Sequence, residues 1–152
     1  ENIMATRDYT TRRSAIVDAY VQKLLTINGT GHFLSSVSNV EPRLKFWDEI
    51  EEFPAIHINA GSETREYLGA GEKFRYLTLT FRCYVNEEDP VEALERLMED
   101  VETVIETNNP INYTDNLGNV RCTIQTSILS IDTDEGVLDP LGIGEIITTV
   151  QY

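Results

Sequence analysis

Apolar positions recur along this chain with two periods, and each period marks a different element. From about Arg12 to Asn28, Val17, Tyr20, Val21, Leu24 and Ile27 fall on one stripe at helical spacing. "NG" follows, with Gly29 suited to the left-handed position just past a helix end. A second helix is marked more fully. Asp89 is placed as N-cap, Pro90 as the first helical residue and Glu92 as the third, a capping-box-like start. Val91, Leu94, Leu97, Met98, Val101, Val104 and Ile105 then repeat at three- and four-residue steps. Glu92, Glu95, Glu99, Asp100, Glu102 and Glu106 oppose them with one cation, Arg96, among them. Such a helix packs its apolar stripe and shows water a negative face.

Elsewhere the period is two. In Phe74 to Val85, Leu77, Leu79, Phe81, Cys83 and Val85 point one way, and Tyr76, Thr78, Thr80, Arg82 and Tyr84 the other. "FPAIHIN" supplies a shorter partner with Pro54 at its start. "VRCTIQTSILSI" and "GEIITTVQY" follow the second helix, joined by the acidic "DTDEGVLDPLG", and a weaker strand, "FLSSVSNV", precedes "RLKFWDEIEEF". The expected architecture is α+β: a single mainly antiparallel sheet with two helices packed on one face, in the order α-β-β-β-α-β-β. The length of 152 residues suits one such domain, with no internal repeat or linker.

Between two of these strands lies "NAGSETREYLGAGEK", Asn59 to Lys73. Hairpin loops usually take about 2–5 residues, so a connection of this length needs a reason. It is polar, yet Tyr67 and Leu68 sit in its middle, flanked by Arg65, Glu66 and Lys73. Two readings stand: an arm that reaches another molecule, or a surface loop whose two apolar residues pack back on their own sheet.

Charge changes the picture next. The net charge is −14, and it is lopsided. Residues 1–76 carry nine Lys/Arg against eleven Asp/Glu, whereas residues 77–152 carry three against fifteen. Binding nucleic acid through phosphates needs a basic patch, and only Arg7, Arg12 and Arg13 approach one. Acidity of this degree serves solubility, or a surface that must not adhere to a nearby polyanion. No run approaches the roughly 18–20 apolar residues that span a bilayer. "ENIMATRDYTTRR" has no apolar segment behind it, so a chain that stays in the compartment where it is made is expected. In that setting "NGT" at Asn28 and "NYT" at Asn112 are not glycosylation sites, and Cys83 and Cys122, both in predicted strands, are expected as core thiols.

The search for chemistry yields no catalytic residue, no cofactor and no metal set. "GAGEK" fails as a phosphate loop, because Glu72 separates Gly71 from Lys73 and a strand follows. The dinucleotide pattern fails at Phe74, where its third glycine belongs. His57 alternates with Ile56 and Ile58 and is expected on the polar side of the sheet. Neither it nor His32 has a nucleophile and an acid at a suggestive position. Glu87, Glu88 and Asp89 could bind Mg²⁺ or Ca²⁺ through oxygen, but a capped helix start explains them more simply. "DTDEG" lacks the spacing and closing Glu of an EF-hand loop.

The order of features resembles the lambda-type tail terminator proteins of long-tailed bacteriophages. A helix and a strand precede an "FPA"-type strand, here Phe53-Pro54-Ala55-Ile56; a long polar extension leads into "YLTLTFRCYV". "NEEDPVEALERLMEDV", an acidic glycine-containing loop and "GEIITTVQY" complete it. The resemblance covers residues 14–152 and leaves 1–13 as a basic N-terminal extension outside it. It implies a structural virion protein of the tail's neck region, assembled in the host cytoplasm, and no enzyme. Its partners would be further copies in a homohexameric ring, the tail tube protein, and a head-side connector or stopper. Ring formation would end tube polymerisation, and DNA would pass the lumen without specific binding. On this analogy Arg65, Glu66, Tyr67, Leu68 and Lys73 contact a neighbouring subunit or the tube. The rival readings are another neck or head-completion protein, a small divalent-metal enzyme, or an acidic mimic of DNA.

Overall fold

The computed structural model describes residues 8–43, 45–115 and 117–152, with backbone alone at 8–11 and 47. Arg7 lies outside the described residues. The helix expected from Arg12 is α1, Asp8–Leu24; it starts and ends earlier than the pattern suggested. The second helix, α2, spans Pro90–Thr107, and Asp89 caps it by accepting a hydrogen bond from the Glu92 N–H at 3.3 Å.

One five-stranded sheet carries both helices on the same face. Its strands are β1 (Asn39–Glu41), β2 (Ala55–Gly69), β3 (Glu72–Asn86), β6 (Gln125–Thr133) and β7 (Leu141–Gln151), in spatial order β1-β2-β3-β7-β6. Every pairing is antiparallel except β1 with β2. The alternation in β3 puts Leu77, Leu79, Phe81, Cys83 and Val85 into one core with Ile16, Tyr20 and Leu24 of α1 and Leu94, Leu97 and Val101 of α2. The Tyr20 ring meets Phe81 edge-on at 5.3 Å, and its hydroxyl shares a 2.6 Å hydrogen bond with Thr126 of β6. Burial pushes that phenol up to about 12. Gly142 and Gly144 let α2 lie close on β7, since a Cβ at Gly144 would fall 2.5 Å from Met98 Sδ.

Several expectations need correction. "FLSSVSNV" is strand only at its end, because its backbone bonds elsewhere: Val37 N–H donates to Ile27 and Ser38 N–H to Pro54, each at 2.9 Å. "VRCTIQTSILSI" is two strands. β5 (Val120–Cys122) pairs with β4 (Asn112–Thr114) in a separate small sheet, and the break is fixed by Thr123, whose N–H donates to Ile111 O while its hydroxyl accepts from Ile111 N–H. Cys83 is buried, but Cys122 is exposed on that small sheet and is no core thiol. Val91, assigned to the apolar stripe of α2, is half exposed.

Asp100 is the sharpest correction. It was grouped with the solvated acidic face, yet it is buried and accepts hydrogen bonds from the Leu34 and Ser35 N–H groups at 2.6–3.0 Å. A carboxylate under a loop satisfies two backbone donors that would otherwise be stranded. His57 does lie on the face opposite the helices, but that face is covered there. Its ring lies 5.0 Å from the Tyr84 ring, and it is buried next to the small cluster of Ala55, Tyr84 and Ile50, on which Phe53 packs. Both its ring nitrogens lack a hydrogen-bond partner among the described residues. Burial holds its pKa below the usual value.

Candidate interaction surface

The polar stretch 59–73 is not a loop. β2 and β3 continue through it as a ribbon, with Thr64 opposite Tyr76, Arg65 opposite Arg75, Glu66 opposite Phe74 and Tyr67 opposite Lys73. The turn is Ala70-Gly71, with φ of 52° and 80° after Gly69 at 91°. These left-handed angles suit glycine and give a turn that follows strand twist. The ribbon leaves the sheet at Tyr76, whose partner on β7 is Gln151, one residue from the C-terminal Tyr152. On the other side β1 pairs with β2 only at Ala55–His57. From Thr64 to Gly69, among the described residues, the two strands therefore pair only with each other, over about 20 Å.

The base of this ribbon is clamped from three distant parts of the chain. The Tyr152 hydroxyl donates to Glu63, and Tyr152 N–H donates to Arg75 O at 3.0 Å. Arg13 of α1 donates to Gly61 O and lies 4.0 Å from the Glu63 carboxylate. The Arg12 guanidinium sits 5.0 Å over the Tyr152 ring and donates to the Tyr113 hydroxyl at 2.9 Å. The Gly61 contact falls at a bulge, where the β2–β3 register shifts between Ala60 and Glu63. Burial pushes the Glu63 carboxyl up, but hydrogen bonds from Tyr152 and Arg65 outweigh it and leave it below the usual range. Tyr152, desolvated and facing that carboxylate, is pushed up to about 12.

Of the five residues singled out from sequence, Glu66, Tyr67, Leu68 and Lys73 lie beyond this clamp, and Arg65 sits at its margin opposite Arg75. Arg65 donates to Glu63 at 2.7 Å, and the Lys73 ammonium stands 5.8 Å over the Tyr67 ring. Glu66 is exposed. Tyr67 is 70% and Leu68 50% exposed, so neither is folded back into its own core. The sequence reading missed the clamp itself: Arg12, Arg13, Glu63, Arg75 and Tyr152. It also missed the hairpin, although Gly69-Ala70-Gly71 between β-compatible residues is a turn signal.

Other concave surfaces carry less. A cleft of about 460 Å³ between α1 and β4 is lined by Ala15, Asp18, Gln22 and Tyr113 among others. Another, about 320 Å³, collects Glu41, Glu49, Glu51 and Glu52 near His57 and Lys45. Among the described residues no group of three or more His, Cys, Asp or Glu is placed to hold a metal ion. No described helix is long and apolar enough to cross a membrane.

A family profile described as Bacteriophage Tail Tube Terminator Protein matches residues 10–152. The chain belongs to that family. Tail tube terminator protein p142 of Escherichia phage T5 is 34% identical over 143 residues, covering 91% of this chain and 89% of that protein. In fold, a chain from the virion of a native gene transfer agent particle superposes with a TM-score of 0.56. It covers 91% of this chain and 94% of its own, at 8% identity, so the likeness there is one of architecture. In this tail tube terminator family member the strand order and the helix-covered face are set by the core, and the clamped ribbon stands outside it.

Proposed function

We propose that this chain is a structural component of a phage tail that caps the head-proximal end of the tail tube as a ring of six copies. The cap ends tube polymerisation and offers the head-side connector or stopper a docking surface. The observation that carries this reading is family membership across residues 10–152. The ribbon supplies a physical means: Arg65, Glu66, Tyr67, Leu68 and Lys73 project from the domain and contact a neighbouring copy or the tube. Aromatic and Arg residues contribute disproportionately at such contacts. The role requires binding and geometry, not catalysis. The protein resides in the virion's neck region and is assembled in the host cytoplasm.

The acidity has a use in this setting. DNA crossing the ring meets a negative wall that repels phosphates, and Glu95, Glu99, Glu102 and Glu106 on the exposed face of α2 are candidates for it. Reversing them to Lys is expected to slow DNA ejection while tail length stays normal; unchanged ejection would remove them from the lining.

The direct test adds purified chain to polymerising tail tube protein and measures tube length by electron microscopy. Tubes are expected to shorten with added chain and to carry one cap each. Tubes that grow to the same length with no bound cap would sink the proposal. Light scattering over a wide concentration range tests the ring separately, by whether the mass reaches six subunits.

A further inference from the structure

We infer that copies of this chain join edge to edge, with the ribbon strand Thr64–Gly69 of one copy pairing against the outer edge of β6 in the next. This rests on the ring reading and names the surface that receives the arm.

The sheet has two unequal edges. On one side β1 pairs with β2 at Ala55–His57 and Arg13 holds the bulge at Gly61, and among the described residues Thr64–Gly69 has no strand partner on its outer edge. On the other side, among the described residues, β6 has a strand neighbour only in β7. Its start is already occupied: the Asn109 side chain accepts from Thr126 N–H at 2.8 Å and donates to Thr126 O at 2.9 Å. The opening is therefore Ile128–Thr133, six residues facing six on the ribbon. An exposed strand edge of this kind templates a further strand.

Direction agrees. β2, β3, β7 and β6 reverse at each step, so β2 and β6 run opposite ways. Continuing the sheet from one copy into the next places them antiparallel, the pairing with the straighter hydrogen bonds. The side chains agree as well. The β6 edge exposes Leu129 and Ile131, each by 45% or more, and the ribbon exposes Tyr67 and Leu68. Lys, Pro and bulges are among the devices that keep an edge solitary. β6 has no Lys or Pro, though its register shifts at Leu129, and residues 122–152 contain no Lys or Arg at all, while Asp132 lies near its end and Asp134 and Glu135 follow it. Arg65 and Lys73 on the arriving ribbon match that charge.

Because the two surfaces differ, the contact is heterologous and propagates head to tail, closing into a ring when the rotation allows. The ribbon lies beyond the level of Tyr76 and Gln125, whereas the opening lies below it, so adjacent copies are offset by roughly 25 Å along the strands. The strands then run oblique to the ring axis, as closure of a sheet requires.

The test uses a Cys122→Ser background, which removes the exposed thiol and leaves the buried Cys83. Leu68→Cys and Leu129→Cys are introduced on separate chains, one affinity-tagged, and mixed at high concentration and on tube ends. A short bis-maleimide is expected to link 68 to 129 between copies and to give a multimer ladder when both cysteines share one chain. Ile131→Lys, on the exposed edge, is expected to keep the fold by circular dichroism and to weaken copy–copy association at least tenfold. Absence of the 68–129 link in both settings overturns the inference. If tubes are capped without that link, the edge pairing fails and the terminator reading stands. If the link forms while tubes grow unchecked, the reverse holds.

Discussion

Replacing Tyr67 and Leu68 together by Ala separates a role in assembly from a role in folding. A Tyr side chain offers about 200 Å² and a Leu about 170 Å². With 70% and 50% of the two residues exposed, roughly 140 and 85 Å² remain for a partner to cover, worth about 5.6 kcal/mol at ~25 cal/mol per Å². Ordering costs at an interface consume part of that, so a loss of about 2–3 kcal/mol, some 30- to 150-fold in affinity, is the expected effect. Neither residue belongs to either core cluster. Substitutions of that kind typically change stability by ~0.5 kcal/mol each, so the urea midpoint should move little. The two readouts are the concentration dependence of molar mass with tube binding, and urea unfolding followed by far-UV circular dichroism. A large drop in midpoint with assembly unchanged would assign both residues to the fold and refute the argument.

Three further outcomes follow from the interior. Asp100→Ala should destabilise the domain by about 3 kcal/mol, since two backbone donors lose a charged acceptor at ~1.5–3 kcal/mol each. Glu99→Ala, one residue away on the exposed face, should cost almost nothing, and equal urea midpoints for the two would contradict the buried role. Glu63 has a folded pKa below its usual 4.5, so its contribution is fully present above about pH 4.5 and lost as pH falls through the lower folded value. Acid unfolding of Glu63→Gln should therefore lack that limb; an unaltered stability–pH curve below 4.5 would show the clamp carries no proton linkage. Cys122 should react with a thiol reagent in the native state while Cys83, buried with its thiol pushed up to about 12, waits for unfolding. Two fast-reacting thiols would place Cys83 at the surface.

What could be read from the sequence was whatever buries a stripe. α2 announced itself because its cap, its Pro90 and its apolar period agree, and β3 because one face meets both helices. The ribbon gave no such signal, because neither of its faces packs on the core and so nothing enforces alternation beyond Tyr76. Asp100 was indistinguishable from Glu99 and Glu102, since its role is set by Leu34 and Ser35, more than 60 residues away in sequence. His57 was placed on the correct face, but the segment that supplies Ile50 and Phe53 to the neighbouring cluster carries no period at all. Arg65, Glu66, Tyr67 and Leu68 could be singled out because they are contiguous, with Lys73 five residues on. Their support was hidden because Arg13, Glu63 and Tyr152 meet only after folding.

That support bears on what the ribbon is for. An isolated two-stranded ribbon is marginally stable in water, so a domain that extends one must hold it at the base or meet a partner at the tip. Here the base is held by Tyr152, Glu63, Arg12 and Arg13, and the clamp stops at Arg75. Tyr67 and Leu68 sit farther out, where they contribute nothing to the core and leave apolar surface in water. Polar residues at those two positions would serve the domain's own stability equally well and its solubility better. A fixed base holds the apolar tip in place before any partner arrives, which would lower the ordering cost of the proposed contact. The domain's own stability explains the clamp up to Arg75 but not the apolar tip, and that exposed tip is what the proposed contact accounts for.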